Sequence, residues 1–168
     1  MIIFKDFVEK GFDKSVVDIK RIAARAVIVE DGKVLMIHST KYNDYTFPGG
    51  GLEDGETPES TCIREAKEEI GYRVSIIKEL GSVVEYKNLN GARLRNHNMY
   101  FYCKKHEFCG TNLLDYEKDL GFETILIDPR DAININNKRI KITGDNTYLN
   151  QTNYILEKVV LNLWENFL

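Results

Sequence analysis

The stretch from Gly50 to Tyr72 constrains this chain more than any other. It is approached through Pro48-Gly49-Gly50-Gly51 and contains Asp54-Gly55. Glycines at this density let the backbone turn tightly and come close to a ligand or another segment. A helix start follows at once. Thr57 fits the N-cap, Pro58 the first helical position, and Glu59 the positive end of the helix dipole. The helix is expected to run to about Ile70, where Gly71 supplies a stop. At about 100° per residue, Ile63, Ala66 and Ile70 share one side and form the expected buried face. Glu65, Glu68 and Glu69 fall together on the opposite side, at i, i+3 and i+4.

The rest of the chain supplies strands for that helix to pack on. Residues 26–29 and 34–37 are β-rich and flank Asp31-Gly32, the strongest short hairpin signal. Residues 40–47 read as a loop, 73–87 as a strand and 88–91 as a turn. A second strand follows over 92–104, with Met99, Phe101 and Cys103 on one face. Residues 105–121 read as a long polar loop and 124–127 as another strand. Asp145 or Thr147 opens a last helix, whose Tyr148, Ile155, Val159, Leu163 and Phe167 keep helical spacing as core positions. Residues 1–21 show no clean period and are expected at the domain edge, as a short strand or a turn of helix. All 168 residues then make a single α/β domain, with a mixed sheet between the internal helix and the C-terminal one.

The acid stripe has a local cost. Like charges at i, i+4 destabilise an isolated helix by roughly 0.2–0.5 kcal/mol per pair. Arg64 can pair with Glu68, but Glu65 and Glu69 meet only each other at that spacing. A hard divalent cation such as Mg²⁺ or Mn²⁺ turns this repulsion into attraction, because it takes several oxygen ligands. A plain solvated helix face shows the same three glutamates; the glycines ahead of the helix weigh against that reading, although by themselves they also suit an ordinary turn. Those glycines lack the Lys-Ser/Thr ending of a nucleotide P-loop and do not follow the dinucleotide fingerprint.

These residues resemble the motif of the Nudix hydrolase family, the mutator-type phosphohydrolases. The motif is Gly, five residues, Glu, seven residues, Arg-Glu, an apolar residue, any residue, Glu-Glu, any residue, Gly, an apolar residue. Here it reads Gly50, Glu56, Arg64-Glu65-Ala66, Glu68-Glu69 and Gly71-Tyr72, so every fixed position matches. Tyr45-Thr46-Phe47-Pro48-Gly49-Gly50 resembles the aromatic-x-apolar-Pro-Gly-Gly lead-in, where the first residue is more often tryptophan. Tyr72 stands where an aliphatic residue is usual.

The resemblance implies an α/β/α sandwich and a pyrophosphohydrolase acting on acid anhydrides. Its substrate would be a nucleoside di- or triphosphate, or a related diphosphate-linked small molecule. By the same resemblance, Glu65, Glu68 and Glu69 coordinate Mg²⁺ or Mn²⁺, with the Gly50 carbonyl near the same ion. Glu56 sits at the edge of the cluster, and Arg64 positions carboxylates by pairing with Glu56 or Glu69. The proton of the attacking water goes to Glu68 or Glu69, or to a later acid among Glu117, Asp119 and Glu123. The alternative is a non-catalytic nucleotide-binding or regulatory module on the same fold; such modules commonly lose a motif glutamate, and none is lost here. An isoprenoid-diphosphate isomerase shares the fold, but no residue pattern supports its cysteine chemistry.

Substrate recognition has to come from outside the motif. Arg93, Arg95 and His97 alternate along a strand and share a face, so they can meet phosphates or a base. An exposed polar sheet face alternates in the same way. Tyr42, Tyr45 and Phe47 can stack on a base or anchor the core. A net charge of −3 without a basic stripe argues against a nucleic-acid partner. It does not argue against a small anion, because a bound cation reverses the local sign. Cys62, Cys103 and Cys109 form no Cys-x-x-Cys pair and read as three reduced thiols. The first residues lack a signal-type apolar run, and no stretch approaches the ~20 apolar residues of a membrane helix. The expectation is a soluble cytoplasmic protein without a membrane partner; a homodimer is a common state among similar proteins.

Overall fold

The structure is a computed structural model that describes residues 3–162. Leu163 and Phe167, expected in the C-terminal stripe, lie outside the described residues.

A five-stranded mixed sheet forms the centre. Its order is β1 (Ile3–Val8), β7 (Tyr72–Leu89), β8 (Ala92–Phe108), β2 (Ile19–Val27) and β6 (Gly49–Gly51). β1 is parallel to β7 and β2 to β8, while β7–β8 and β2–β6 are antiparallel. The N-terminal segment is thus an edge strand. β7 and β8 run longer than the sequence pattern suggests, and their pairing shifts register in three places. Such bulges interrupt period-two alternation and bend the ribbon.

A second sheet is built on β4 (Lys33–Ser39), with β9 (Phe122–Ile127) antiparallel along it. The expected hairpin joins β4 to β3 (Val29–Glu30) through Asp31 and Gly32, both at positive φ as the tight turn requires. The expected loop over 40–47 is corrected: Asn43, at φ 51, turns the chain back and β5 (Asp44–Thr46) pairs with β4. The expected loop over 105–121 is also shorter, because β8 continues to Phe108 and a short helix, α2 (Asp115–Asp119), follows.

α1 (Pro58–Ile70) lies on one side of the central sheet and α3 (Pro129–Thr143) with α4 (Thr147–Ile155) on the other. β2 shows why. Ala24 and Ala26 face Cys62, Ala66 and Ile70 of α1, with Phe101 and Cys103, whereas Val27 faces Tyr100, Ile133, Ile155 and Val159. Met99 packs with Phe101 and Cys103, as the alternation implied. The result is the expected α/β/α sandwich. α4 opens at Thr147 with Asn146 as its cap and continues into a π-helical turn, Leu156–Val160. α3 was not foreseen. Asp128 caps it and Pro129 starts it, but Ile133-Asn134-Ile135-Asn136 alternates like a strand and hides the helical period.

One correction bears on the site. Ile63 was expected inside, yet it is 37% exposed, while Cys62 is 0% and Glu69 7% exposed. Ala66 and Ile70 are buried as expected, at 0% and 1% exposed, so α1 is turned by less than one residue step from the face read off the wheel. The turn lets Cys62 pack on Cys103 and brings Glu69 inward, where a backbone N–H meets it.

Candidate active site

Local chemistry fixes α1 firmly. The Thr57 side chain accepts from Ser60 N at 3.1 Å, and Ser60 Oγ accepts from Thr57 N at 3.0 Å, a reciprocal cap. Gly71, at φ 76, closes the other end in the left-handed region. The helix stands against β6, which has no side chains to hold it off. Gly49 N donates to Glu69 Oε2 at 2.8 Å, and a Cβ on Gly50 would stand 2.3 Å from Glu65 Oε1.

Arg64 gathers the motif acids. Its Nε donates to Glu56 Oε1 at 2.6 Å, and its Nη1 reaches Glu65 Oε1 at 3.0 Å and Glu68 Oε2 at 3.1 Å. Nη2 also donates to the Gly51 carbonyl at 3.3 Å. Pairing with Glu56 matches one of the two expected partners; the other, Glu69, is replaced by Glu65 and Glu68. Arg64, then the Glu53 backbone N–H and the Thr61 hydroxyl, hold the Glu56 pKa down to about 2. Burial raises the Glu65 pKa against the pull of Arg64. Burial raises that of Glu69 well above the usual carboxylate range, despite the Gly49 N–H and Arg25; Glu65 and Glu117 push it the same way.

Glu117 is the later acid that the fold brings in. It is 3% exposed on α2, accepts from Leu114 N at 2.8 Å, and lies within hydrogen-bonding reach of Glu69. Asp119 stays exposed. Glu123 is bound to His38 at 2.8 Å across β9 and β4.

Among the described residues, no three His, Cys, Asp or Glu side chains stand as a closed metal cage; Arg64 lies among the carboxylates as their cation. The donor set nonetheless fits a hard divalent cation. It is all oxygen, it is concentrated at the bare Gly50 backbone, and two of its acids, Glu69 and Glu117, share a buried corner.

A cleft of about 270 Å³ opens beside this cluster, reaching Gly49, Gly50 and Glu69. Its floor is a row across three strands, because Asn96 on β8 is in register with Arg21 on β2 and Glu85 on β7. Phe47, Tyr148 and Phe122 supply aromatic walls. Of the aromatic candidates, only Phe47 lines the cleft, packed edge-on to Tyr100 at 5.7 Å. Tyr45 is buried in the core, stacked on His38 at 4.6 Å and bonded through its backbone N to Asn136. Tyr42 lies under Arg139 at 4.5 Å.

The fold does not bring Arg93 and Arg95 to the cleft. Leu94 and Asn96 line it, so their neighbours on β8 face the other way. Arg93 makes a two-pronged pair with Asp18 at 2.9 and 2.8 Å, and Arg95 donates to the Tyr86 hydroxyl at 3.3 Å. His97 shares their face. The arginines that line the cleft are Arg21 and Arg25. They are four residues apart on one strand and share a face, a spacing visible in the sequence; Arg25 is in register with Gly49, and Ala23 between them with Gly51.

Residues 20–145 match the NUDIX domain family. A MutT-like protein of Streptomyces ambofaciens is 45% identical over 65 residues, 39% of this chain and 40% of that protein. An RNA pyrophosphohydrolase of Pseudoalteromonas translucida is 39% identical over 51 residues, 30% of each chain. These matches span well under two thirds of either relative. In fold, the chain is similar to the NUDIX hydrolase from Nitrosomonas europaea, with a TM-score of 0.53 over 75% of this chain and 90% of that one, at 19% identity. With a family match over residues 20–145, well more than half its length, the chain belongs to the NUDIX family.

Proposed function

We propose that this chain hydrolyses a phosphoanhydride bond in a nucleoside di- or triphosphate, or in a related diphosphate-linked small molecule, with Mg²⁺ or Mn²⁺ as cofactor. The observation that carries this reading is the meeting of the acid cluster and the arginine-lined cleft at β6, through Glu69 and Gly50. Glu65, Glu68 and Glu69, with the Gly50 carbonyl, would hold the cation. When bound, it neutralises phosphate oxygens and lowers the pKa of a water.

The chain's own groups do the rest. Arg64 keeps three carboxylates within reach of one another, at 2.6–3.1 Å from its own nitrogens. Glu56 is held ionised and so stabilises Arg64 in turn. A carboxylate oxygen of Glu117, beside Glu69, is suited to take the proton that an attacking water loses. The aromatic walls of the cleft suit a flat base.

None of the helices among the described residues is long and apolar enough to cross a membrane. The three cysteines are free thiols, which suits the reducing cytoplasm where we place the activity.

The test is a panel of nucleoside triphosphates, dinucleotide polyphosphates and nucleotide sugars, assayed with Mg²⁺ and with Mn²⁺ for phosphate or pyrophosphate release. Turnover is expected in at least one case, and its loss in Glu68→Gln. Tight binding without turnover anywhere in the panel would mark a binding module and sink the hydrolase reading.

A further inference from the structure

Opposite charges lie against the two faces of β6. On the helix side, a Cβ on Gly50 would stand 2.3 Å from Glu65 Oε1. Gly49 and Gly51 point the other way, and Cβ atoms there would stand 2.8 Å from Arg25 Cδ and 2.6 Å from Arg21 Nε. The three glycines form a wall one backbone thick, with Glu65 against one side and Arg21 and Arg25 against the other.

The two arginines differ in what they are free to do. Arg25 is partly buried; its Nη1 donates to the Gly49 carbonyl at 3.0 Å and its guanidinium lies over Tyr148 at 5.3 Å. It is a fixed charge. Lys87, also on the cleft, is tied to Glu85 at 2.9 Å. Arg21 is exposed, lines the cleft, and has no hydrogen bond or ion pair among the described residues. An arginine held over a bare strand, beside a cluster of acids yet bonded to none of them, has its whole donor fork available.

We propose that Arg21 binds a non-bridging phosphate oxygen of the substrate on the cleft side of β6, across the strand from Glu65. This rests on the hydrolase reading above. The cleft that Arg21 lines also reaches Glu69 and Gly50, so a substrate lying in it meets the acid cluster and this uncommitted cation together. The guanidinium fork matches a phosphate bidentately, which an ammonium does not. Gly51 belongs to the same arrangement, since any side chain there collides with Arg21 Nε.

The experiment uses the nucleotide that the intact protein turns over best. Arg21→Gln is expected to raise KM by about 10- to 100-fold, the loss of a charge-assisted bond to phosphate, with a smaller change in kcat. Arg21→Lys recovers part of the loss, Gly51→Ala shifts KM in the same direction, and Arg93→Gln matches the parent. A readout free of turnover is calorimetric titration with α,β-methylene ATP and GTP in Mg²⁺, where Kd rises in Arg21→Gln. Unchanged KM and Kd in Arg21→Gln, with the parent active, overturns the role of Arg21 alone. Binding of the analogues by a parent that hydrolyses nothing overturns the hydrolase reading, and Kd still decides Arg21. A parent that neither binds nor hydrolyses any nucleotide overturns both.

Discussion

The Glu65 carboxylate rests against the bare backbone of Gly50: a Cβ there would stand 2.3 Å from Glu65 Oε1. The neighbouring glycine is crowded by something harder. A Cβ on Gly49 would stand 2.1 Å from the Ala24 carbonyl oxygen, and Gly49 has φ 153. The two positions should therefore fail differently. Gly50→Ala meets the end of a flexible side chain, so the fold should survive with Tm within a few degrees of the parent. Glu65 must move, and the Mg²⁺ concentration for half-maximal turnover should rise about tenfold, one misplaced oxygen ligand. Gly49→Ala meets backbone in the middle of a paired strand and should lower stability by more than about 2 kcal/mol. Thermal melts together with Mg²⁺ titrations of the two variants test this. Equal Mg²⁺ dependence of Gly50→Ala and the parent would show that Glu65 does not serve the cation.

Glu69 should act against stability and for function. Its pKa is raised by burial, so without a cation the folded state favours the protonated form. The sign follows from linkage: the stability tied to this group is full below the unfolded pKa near 4.5 and is lost as pH rises through the higher folded value. Glu69→Gln cannot ionise and keeps the shape. In metal-free buffer it should melt above the parent at pH 8, with the gap closing towards pH 5. Mg²⁺ should raise the Tm of the parent and not of the variant, and the variant should be inactive. A variant that melts below the parent at pH 8 would show that the ionised carboxylate is already satisfied by the Gly49 N–H and Arg25.

The motif chemistry was legible in the sequence because it is local. The cap at Thr57, the stop at Gly71 and the spacing of the glutamates all lie within one helix and its approach. The facing of that helix was legible only in part, since Ala66 and Ile70 lie inward as its period implies and Ile63 does not. Ile63 is the stronger hydrophobe, but Cys62 lies inward because β8 offers Cys103 and β6 offers the Gly49 N–H to Glu69. Both partners are distant in sequence. The cleft was missed for a similar reason. Arg93 and Arg95 alternate as a binding face does, yet which face of β8 looks into the cleft is set by pairing with Arg21 and Glu85 on other strands. α3 was hidden by its own Ile-Asn alternation and by Asn136, whose side chain serves the Tyr45 backbone across the fold.

Arg93 should prove structural. It pairs with Asp18, whose pKa it holds down to about 2. A carboxylate with a depressed folded pKa adds stability above its unfolded value near 3.8 and loses it as pH falls through about 2. The pair is exposed, so the effect is small. Asp18→Asn should melt slightly below the parent at pH 6, and the gap should close as pH falls through about 2. Neither Asp18→Asn nor Arg93→Gln should alter KM for any nucleotide. A raised KM in Arg93→Gln would return this face to the substrate site.

The facing of α1 can be read from thiol chemistry. Cys62 and Cys103 stand 3.8 Å apart, sulfur to sulfur, and both are buried, whereas Cys109 is exposed. The contact with Cys103, together with burial, pushes the Cys62 pKa far above the usual thiol range, so little thiolate is present. A native sample treated with an aromatic disulfide reagent should release one equivalent quickly, and Cys109→Ser should abolish that release. The other two thiols should react only after denaturation. Had the wheel's face been right, with Ile63 inward, Cys62 would turn towards solvent and a second fast equivalent would appear. The same rotation would carry Glu69 away from Gly49. A fast second thiol that is lost in Cys62→Ser would therefore overturn both the packing of α1 and the inward placement of Glu69.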